Sequence, residues 1–399
     1  MGAEREVVVV GAGPAGCASA ILLQQAGHDV LLLDAARFPR DKICGESLSP
    51  EAWPALDELG AGAAIRALQP QPIHGMRLTA PNGRSFRGAY GGGLRQGLAL
   101  TRLALDQTLL ATARAAGVEV LEGARVTDVL RKGDALAGVR LMAQDGETRD
   151  LAARLVVGAD GRRSVVARRL GLLREHRHLR KFAVRGYWDG VDGLGPWGEL
   201  HVGRRGYCGV APLSSRRANL TFVLDRRDMP AAAGNLERFY REELASSWPA
   251  LAERLQAARL LGPARALGPL ALESRGASAP GVLLVGDAAG FFDPFTGEGV
   301  TLALRGAAWA AQAGHEALSR SDPGALRRYE RVRAAATREK FHFNRLLYQA
   351  IAWPALADLL ARGMASHQAL ADRLVSLAGD YQPAPRRLGL GLASRVLLG

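Results

Sequence analysis

Val7-Val8-Val9-Val10-Gly11-Ala12-Gly13-Pro14-Ala15-Gly16 decides how the rest of the chain is read. Four consecutive valines form a continuous apolar run, as in a parallel strand covered on both faces. The glycine-rich turn follows with no spacer. A helix-forming stretch from Cys17 to Ala26 comes next, then Gly27 and a second apolar run, Asp29 to Leu33, closed by Asp34, 23 residues beyond Gly11. This is a βαβ unit carrying a dinucleotide-binding fingerprint. Gly11 permits the tight turn, Gly13 lets the backbone approach a pyrophosphate, and Gly16 lets helix and strand pack closely. The helix N-terminus then faces the diphosphate, and Asp34 offers acceptors to ribose hydroxyls.

Two further strand-turn units follow. One is Arg154-Leu155-Val156-Val157-Gly158-Ala159-Asp160-Gly161. The other runs from Gly281 through Val285-Gly286-Asp287-Ala288-Ala289-Gly290 and Asp293-Pro294-Phe295-Thr296-Gly297-Glu298-Gly299 into a helical segment from Val300. Buried strands ending in small residues plus Asp suit the carboxyl edge of a parallel sheet, where ligands bind. Between them, Lys181–Trp188, Glu199–Pro212 and Ala218–Asp225 alternate like antiparallel strands with one wet face. From about Pro323 the pattern is helical, with Phe343, Leu346, Leu347, Ala350 and Ile351 at helical spacing.

The chain has 399 residues, 48% hydrophobic and 23% charged. That excludes a disordered chain, a collagen-like repeat and a small disulfide scaffold. The net charge of +13 comes from arginine, since only Lys42, Lys132, Lys181 and Lys340 are lysines among 52 basic residues. No basic run with interleaved aromatics appears, which argues against nucleic-acid binding. Cys17, Cys44 and Cys208 are too few and scattered for a disulfide framework or a zinc site, and the histidines lack metal-ligand spacing. No signal-like or membrane-spanning run occurs, so a cytoplasmic location is expected.

In order and spacing, the three glycine motifs resemble those of the FAD-dependent aromatic-hydroxylase superfamily over nearly the whole chain. Phe38-Pro39-Arg40-Asp41-Lys42-Ile43-Cys44-Gly45-Glu46-Ser47-Leu48-Ser49-Pro50 and Thr296-Gly297-Glu298-Gly299 resemble the geranylgeranyl-reductase-like flavoproteins within it. The resemblance implies an α/β fold: a Rossmann-type FAD-binding domain (1–75, 97–175, 268–320), an inserted antiparallel-sheet substrate domain (76–96, 176–267) and a helical C-terminal region (321–399). It implies non-covalent FAD and NAD(P)H as electron donor. Gly11, Gly13, Pro14, Ala15 and Gly16 would cradle the pyrophosphate, Asp34 and Ala35 the adenosine ribose, and Asp287, after Gly286, the ribityl chain. Arg40, Cys44, Gly45, Arg102, Val126 and Pro294 would complete the cofactor shell, while Asp160 and Gly161 would close it and meet the nicotinamide donor. The N–H groups of Gly297, Glu298, Gly299 and Val300 would face the flavin pyrimidine edge, where reduced flavin is negative. Tyr207, Cys44, Pro294 and Gly297 are the catalytic candidates. Glu298 is expected to cap the helix start, Cys208 to line the pocket, and Tyr207 and Pro212 to face the cavity.

The departures matter too. Tyr207-Cys208-Gly209-Val210-Ala211-Pro212 keeps the Tyr and Pro of the prenyl-reductase strand but lacks its two large aromatics, and the tryptophan pattern and catalytic lysine of flavin halogenases have no counterpart. The expected reaction is therefore oxygen insertion into an apolar or aromatic small molecule. The alternatives are reduction of a C=C bond and a catalytically idle flavin-bound binding protein. The reading is compatible with a carrier-bound substrate, with peripheral membrane contact, and with a monomer or a homodimer.

Overall fold

In a computed structural model of the protein, the structure describes residues 4–379 apart from 144, 177–179, 233, 292–294 and 323. The opening stretch folds as its pattern requires. Strand β1 (Arg5–Val10) runs into helix α1 (Pro14–Gln25), which returns the chain to β2 (Val30–Asp34). Val7, Val8 and Val9 are wholly buried, because both faces of their sheet are covered.

The chain next supplies β3 (Gly75–Thr79) and β4 (Ser85–Ala89) to a second sheet, then α2 (Arg102–Ala115) and β5 (Glu119–Glu122) to the first. A hairpin, β6 (Arg125–Lys132) and β7 (Ala135–Met142), leads to the long strand β8 (Thr148–Gly158). β1 lies between β8 and β2, parallel to both, with β5 parallel to the far side of β2. All of these strands point their carboxyl ends at one edge, which places the Gly11 turn beside Ala159 and Asp160.

The second sheet continues through β9 (Lys181–Asp189), β10 (Trp197–Val202), β11 (Gly206–Pro212) and β12 (Arg217–Asp225). It passes α3 (Leu236–Ser247) and α4 (Pro249–Glu253), then ends with β13 (Arg259–Leu267). Its order is β13-β9-β12-β11-β10-β3-β4. Every pair is antiparallel except β10 with β3, which are parallel. The inserted sheet is thus mixed rather than purely antiparallel, because β3 arrives from a chain segment more than a hundred residues earlier and not through a hairpin.

Strand β14 (Val282–Leu284) returns to the first sheet beside β8. Four helices follow: α5 (Gly299–Ser319), α6 (Gly324–Ala352), α7 (Pro354–Ser366) and α8 (Gln368–Gly379). Residues 380–399 of the expected helical region lie outside the described residues. No helix of the described residues is long and apolar enough to cross a membrane.

Period-two alternation gives the second sheet two different faces. Val184, Cys208, Leu220 and Phe222 pack beneath α3 and α4 with Phe239, Tyr240 and Trp248. Ala183, Tyr207 and Val223 lie on the opposite face, turned toward the first sheet and the C-terminal helices. Cys208 is therefore no pocket residue, and Pro212, of the same parity, does not share a face with Tyr207.

Candidate functional site

The glycine turn separates what the fold needs from what a ligand needs. Gly11 has φ +101°, and a Cβ there would sit 2.6 Å from the Ala159 carbonyl oxygen; a Cβ at Gly16 would lie 1.7 Å from the Gly11 oxygen. Both glycines are demanded by backbone packing. Gly13 is not: a Cβ there would meet only the Arg40 and Arg102 guanidinium groups, at ordinary contact distances of 3.6 and 3.9 Å. The backbone is bare where two cations converge, at the start of α1, which has no side-chain cap. That arrangement fits a pyrophosphate.

Asp34 ties the turn together. One carboxylate oxygen accepts from the Ala12 N–H at 2.8 Å and the other from the Ala36 N–H at 2.8 Å. Each oxygen can accept a second bond, so fixing the loop and meeting a ribose hydroxyl do not compete. Buried Arg102 forks onto Asp106 at 2.7 and 2.8 Å, and Arg40 reaches the same carboxylate at 2.8 Å. Arg40 also lies 3.6 Å from Asp34, and both guanidinium groups keep an Nη atom toward Gly13.

The loop from Asp41 to Ser47 is clamped onto the second sheet. Asp41 receives both Arg185 Nη groups at 2.9 and 2.6 Å, and Arg185 also donates to the Tyr187 hydroxyl at 2.7 Å. Tyr187 in turn donates to Glu46 at 2.6 Å. Asn219 donates to the other Glu46 oxygen at 2.9 Å and to the Cys44 carbonyl at 2.8 Å, and Thr221 orients Asn219 at 2.7 Å. Glu46 also accepts the Arg102 N–H at 2.8 Å, which joins the loop to α2. Glu46 is 1% exposed, and burial pushes its carboxyl above the usual range. The Arg185 hydrogen bonds hold Asp41 below it. Sequence reading missed Arg185, Tyr187, Glu46 and Asn219. An arginine two residues before a tyrosine, on one face of an expected strand, was the available signal.

At the far end, Gly286 and Gly297 take φ +57° and +70° in the turns that precede α5. Lys42 Nζ lies 4.0 Å from Asp287. Glu298 stands at the start of α5 but makes no cap, because its buried carboxylate pairs with Lys340 of α6 at 2.7 Å. Lys340 also donates to the Ala378 carbonyl at 2.8 Å and to the Leu377 carbonyl, so one ammonium group joins this turn to the end of α8.

A cavity of about 140 Å³ brings most of the expected residues together. Gly13, Pro14, Ala15, Cys44, Gly45, Arg102, Gly161, Gly286, Asp287, Gly297, Gly299 and Val300 line it, with Lys42, Glu46, Ala183, Thr221, Leu267, Leu270 and Phe291. Gly11 and Gly16 lie behind it in the turn. Arg40 and Asp34 stand one contact away, beyond Gly13 and Arg102. Asp160 borders a neighbouring chamber that shares Lys42, Gly161 and Arg162 with the cavity. One Asp160 oxygen accepts the Val165 N–H at 2.6 Å, and the other is buried without a partner. Glu298 borders a smaller cavity between α5 and α6. Tyr207 is outside the cavity lining. Its ring is 6.4 Å from that of Phe295 in an apolar cluster, on the same sheet face as Ala183. Val126 is core on β6 and Ala35 is exposed. Pro294 lies outside the described residues.

The sequence profile of the FAD binding domain family matches residues 4–343. The chain belongs to that family. It is 32% identical over 329 residues to a menaquinone reductase of Mycobacterium tuberculosis, covering 77% of this chain and 76% of that protein. It is 28% identical to a digeranylgeranylglycerophospholipid reductase of Methanosarcina acetivorans, covering 79% and 76%. The solved structure of the flavin-dependent brominase Bmp2 superposes with a TM-score of 0.83 at 21% identity, over 94% of each chain, which shows a shared fold. The protein is an FAD-dependent oxidoreductase, and the bare backbone at Gly13 between two guanidinium groups fits that cofactor.

Proposed function

We propose that this flavoprotein reduces a carbon–carbon double bond in an apolar, isoprenoid-type small molecule, with NAD(P)H as electron source. The observation that carries the reading is the placement of Cys44. It is the cysteine on the wall of the main cavity, on the loop held by Glu46 and Asn219. Cys17 and Cys208 are fully buried, and burial pushes both thiols far up. Saturating a double bond takes a hydride and a proton. Bound FAD supplies the two-electron chemistry. The chain's part is to hold the substrate against the apolar wall formed by Ala183, Leu267, Leu270 and Phe291, and to offer the Cys44 Sγ proton there. The Gly297–Gly299 turn would set the pyrimidine edge against N–H donors. Similarity to proteins named as reductases supports the same reading.

Oxygen insertion, which the sequence motifs favour, makes the opposite demand on O2. The deciding experiment incubates the reduced holoenzyme under argon with a menaquinone carrying an unsaturated side chain. Product that is still two mass units heavier after the quinone ring is reoxidised, with both added hydrogens in the side chain, formed without oxygen and slowed at least tenfold by Cys44→Ala at unchanged FAD content, is expected. Product that forms only in air and carries one atom of labelled O2 overturns the proposal.

A further inference from the structure

Behind the turn that opens α5 lies a buried ion pair that the reaction proposed above does not use. Glu298 is 2% exposed and Lys340 4%, with the lysine Nζ 2.7 Å from the carboxylate. Asn344, one turn further along α6, donates weakly to the other carboxylate oxygen at 3.4 Å. Lys340 also donates to the Leu377 and Ala378 carbonyls of α8. An ammonium group has three donors, and these three acceptors surround it. Helix α8 is itself fastened to the second sheet, where Asp372 accepts the Ala89 N–H at 2.7 Å and Ser376 the Gly91 N–H at 2.9 Å. One buried cation therefore ties the residue before α5 to a helix anchored at the end of β4.

Gly297, Gly299 and Val300 line the main cavity, while Glu298 between them borders the smaller cavity between α5 and α6. The other charged groups on that smaller cavity are engaged elsewhere: Arg333 donates to the Ala289 carbonyl at 2.9 Å, and Asp287 lies 4.0 Å from Lys42. Stability does not require an ion pair here, since apolar side chains of similar volume often serve a buried site as well. What apolar side chains cannot supply is a balance of charge beside the cavity. Buried charges act across a whole turn, because little water screens them. An uncompensated Glu298 carboxylate would oppose negative charge arriving at the start of α5, and an uncompensated Lys340 ammonium group would favour it. We infer that Lys340 is a positioning residue for the flavin, which holds the Gly297–Gly299 turn through Glu298, cancels the Glu298 charge and so sets the potential at which bound FAD is reduced. The inference rests on FAD lying with its pyrimidine edge toward this turn, and not on which substrate the reduced flavin then meets.

The test is a redox titration of the FAD-loaded protein. Each variant is compared with wild type at about pH 7 and about pH 9, so that the remaining ionisable group is read where it is charged. Glu298→Gln leaves the ammonium group uncancelled. At about pH 7 it should favour reduced over oxidised FAD at least tenfold more than wild type does, a rise of about 30 mV for a two-electron couple. Lys340→Met leaves the carboxylate uncancelled and should lower the potential by a similar step at about pH 9. Lys340→Arg and the double variant Glu298→Gln/Lys340→Met keep the charges balanced, and both should stay at the wild-type potential. Shifts of the same sign in the two single variants, or no shift in either, overturn the inference, because a pair that only braces the turn would disturb the site alike whichever partner is lost. If Lys340→Met yields no folded protein, Glu298→Gln decides alone, and a potential at or below that of wild type overturns the inference. The readout is the flavin potential and not turnover, so failure of the reductase reading would leave this result untouched.

Discussion

The glycine turn after β1 and the Asp41–Ser47 loop both border the cofactor cavity, yet opposite kinds of forces hold them. The turn is fixed by hard contacts between close neighbours in one βαβ unit, such as the 1.7 Å approach that a Cβ at Gly16 would make to the Gly11 oxygen. The loop is held by hydrogen bonds to a different sheet, across sequence separations of 141, 144 and 175 residues. Backbone sterics leave almost no freedom of residue choice, which is why the turn reads as a motif. A polar network can be assembled from many residue pairs, so its members leave only a weak trace in the sequence.

Substitutions can break that contrast. Gly16→Val has the largest expected effect: no soluble folded protein, because the clash is with backbone that cannot move. Gly13→Val should fold with the melting temperature of flavin-free wild type but purify without the flavin absorbance. A folded Gly13→Val protein with a full complement of FAD would refute the pyrophosphate reading. Lys340→Met leaves Glu298 buried without its cation and with the weak Asn344 hydrogen bond at 3.4 Å on its carboxylate, so a loss of about 3 kcal/mol is expected in denaturant unfolding.

Smaller effects test the loop. Glu46→Gln keeps the shape but removes acceptors from Tyr187, Asn219 or the Arg102 N–H, and should cost about 1–3 kcal/mol. Turnover should fall further than this loss of stability alone explains, as the loop that carries Cys44 loosens. Protonation gives a finer probe. Asp41 titrates lower in the folded state than in the unfolded one, so its stabilisation is complete above about pH 4 and is lost as pH falls through the folded value. Glu46 titrates higher when folded, so its contribution falls as pH rises from the ordinary glutamate range toward the raised value. Melting temperatures measured across acid pH should show the Asp41 loss disappear in Asp41→Asn. The smallest effect belongs to the exposed helix pair of Arg238 and Glu242, 2.7 Å apart, where Arg238→Ala should leave the denaturant midpoint unchanged.

Much of the first sheet was legible, because strand, turn, helix and terminal acid all lie within thirty residues and must agree with one another. The same local logic located Gly286–Asp287 and Gly297–Gly299. The second sheet was legible as strands but not as a sheet. Nothing near β3 says that it pairs in parallel with β10, and alternation alone cannot say which face of β11 looks inward. That is why Cys208 and Pro212 were expected at the cavity, although they share a parity opposite to that of Tyr207. Glu298 illustrates the same limit, since its position at a helix start suggested a cap until α6 brought Lys340 against it.

By itself, the sequence determined the dinucleotide turn and the order of the three glycine motifs, since steric constraints between near neighbours are written into residue type; FAD was implied by the resemblance of those motifs to known flavoproteins. Only the tertiary structure decided which polar groups meet: Arg185 with Asp41, Glu46 with Tyr187 and Asn219, and Lys340 with Glu298. The physical reason is range. A contact between residues far apart in the chain is fixed by how sheets and helices pack, and many sequences satisfy it equally well.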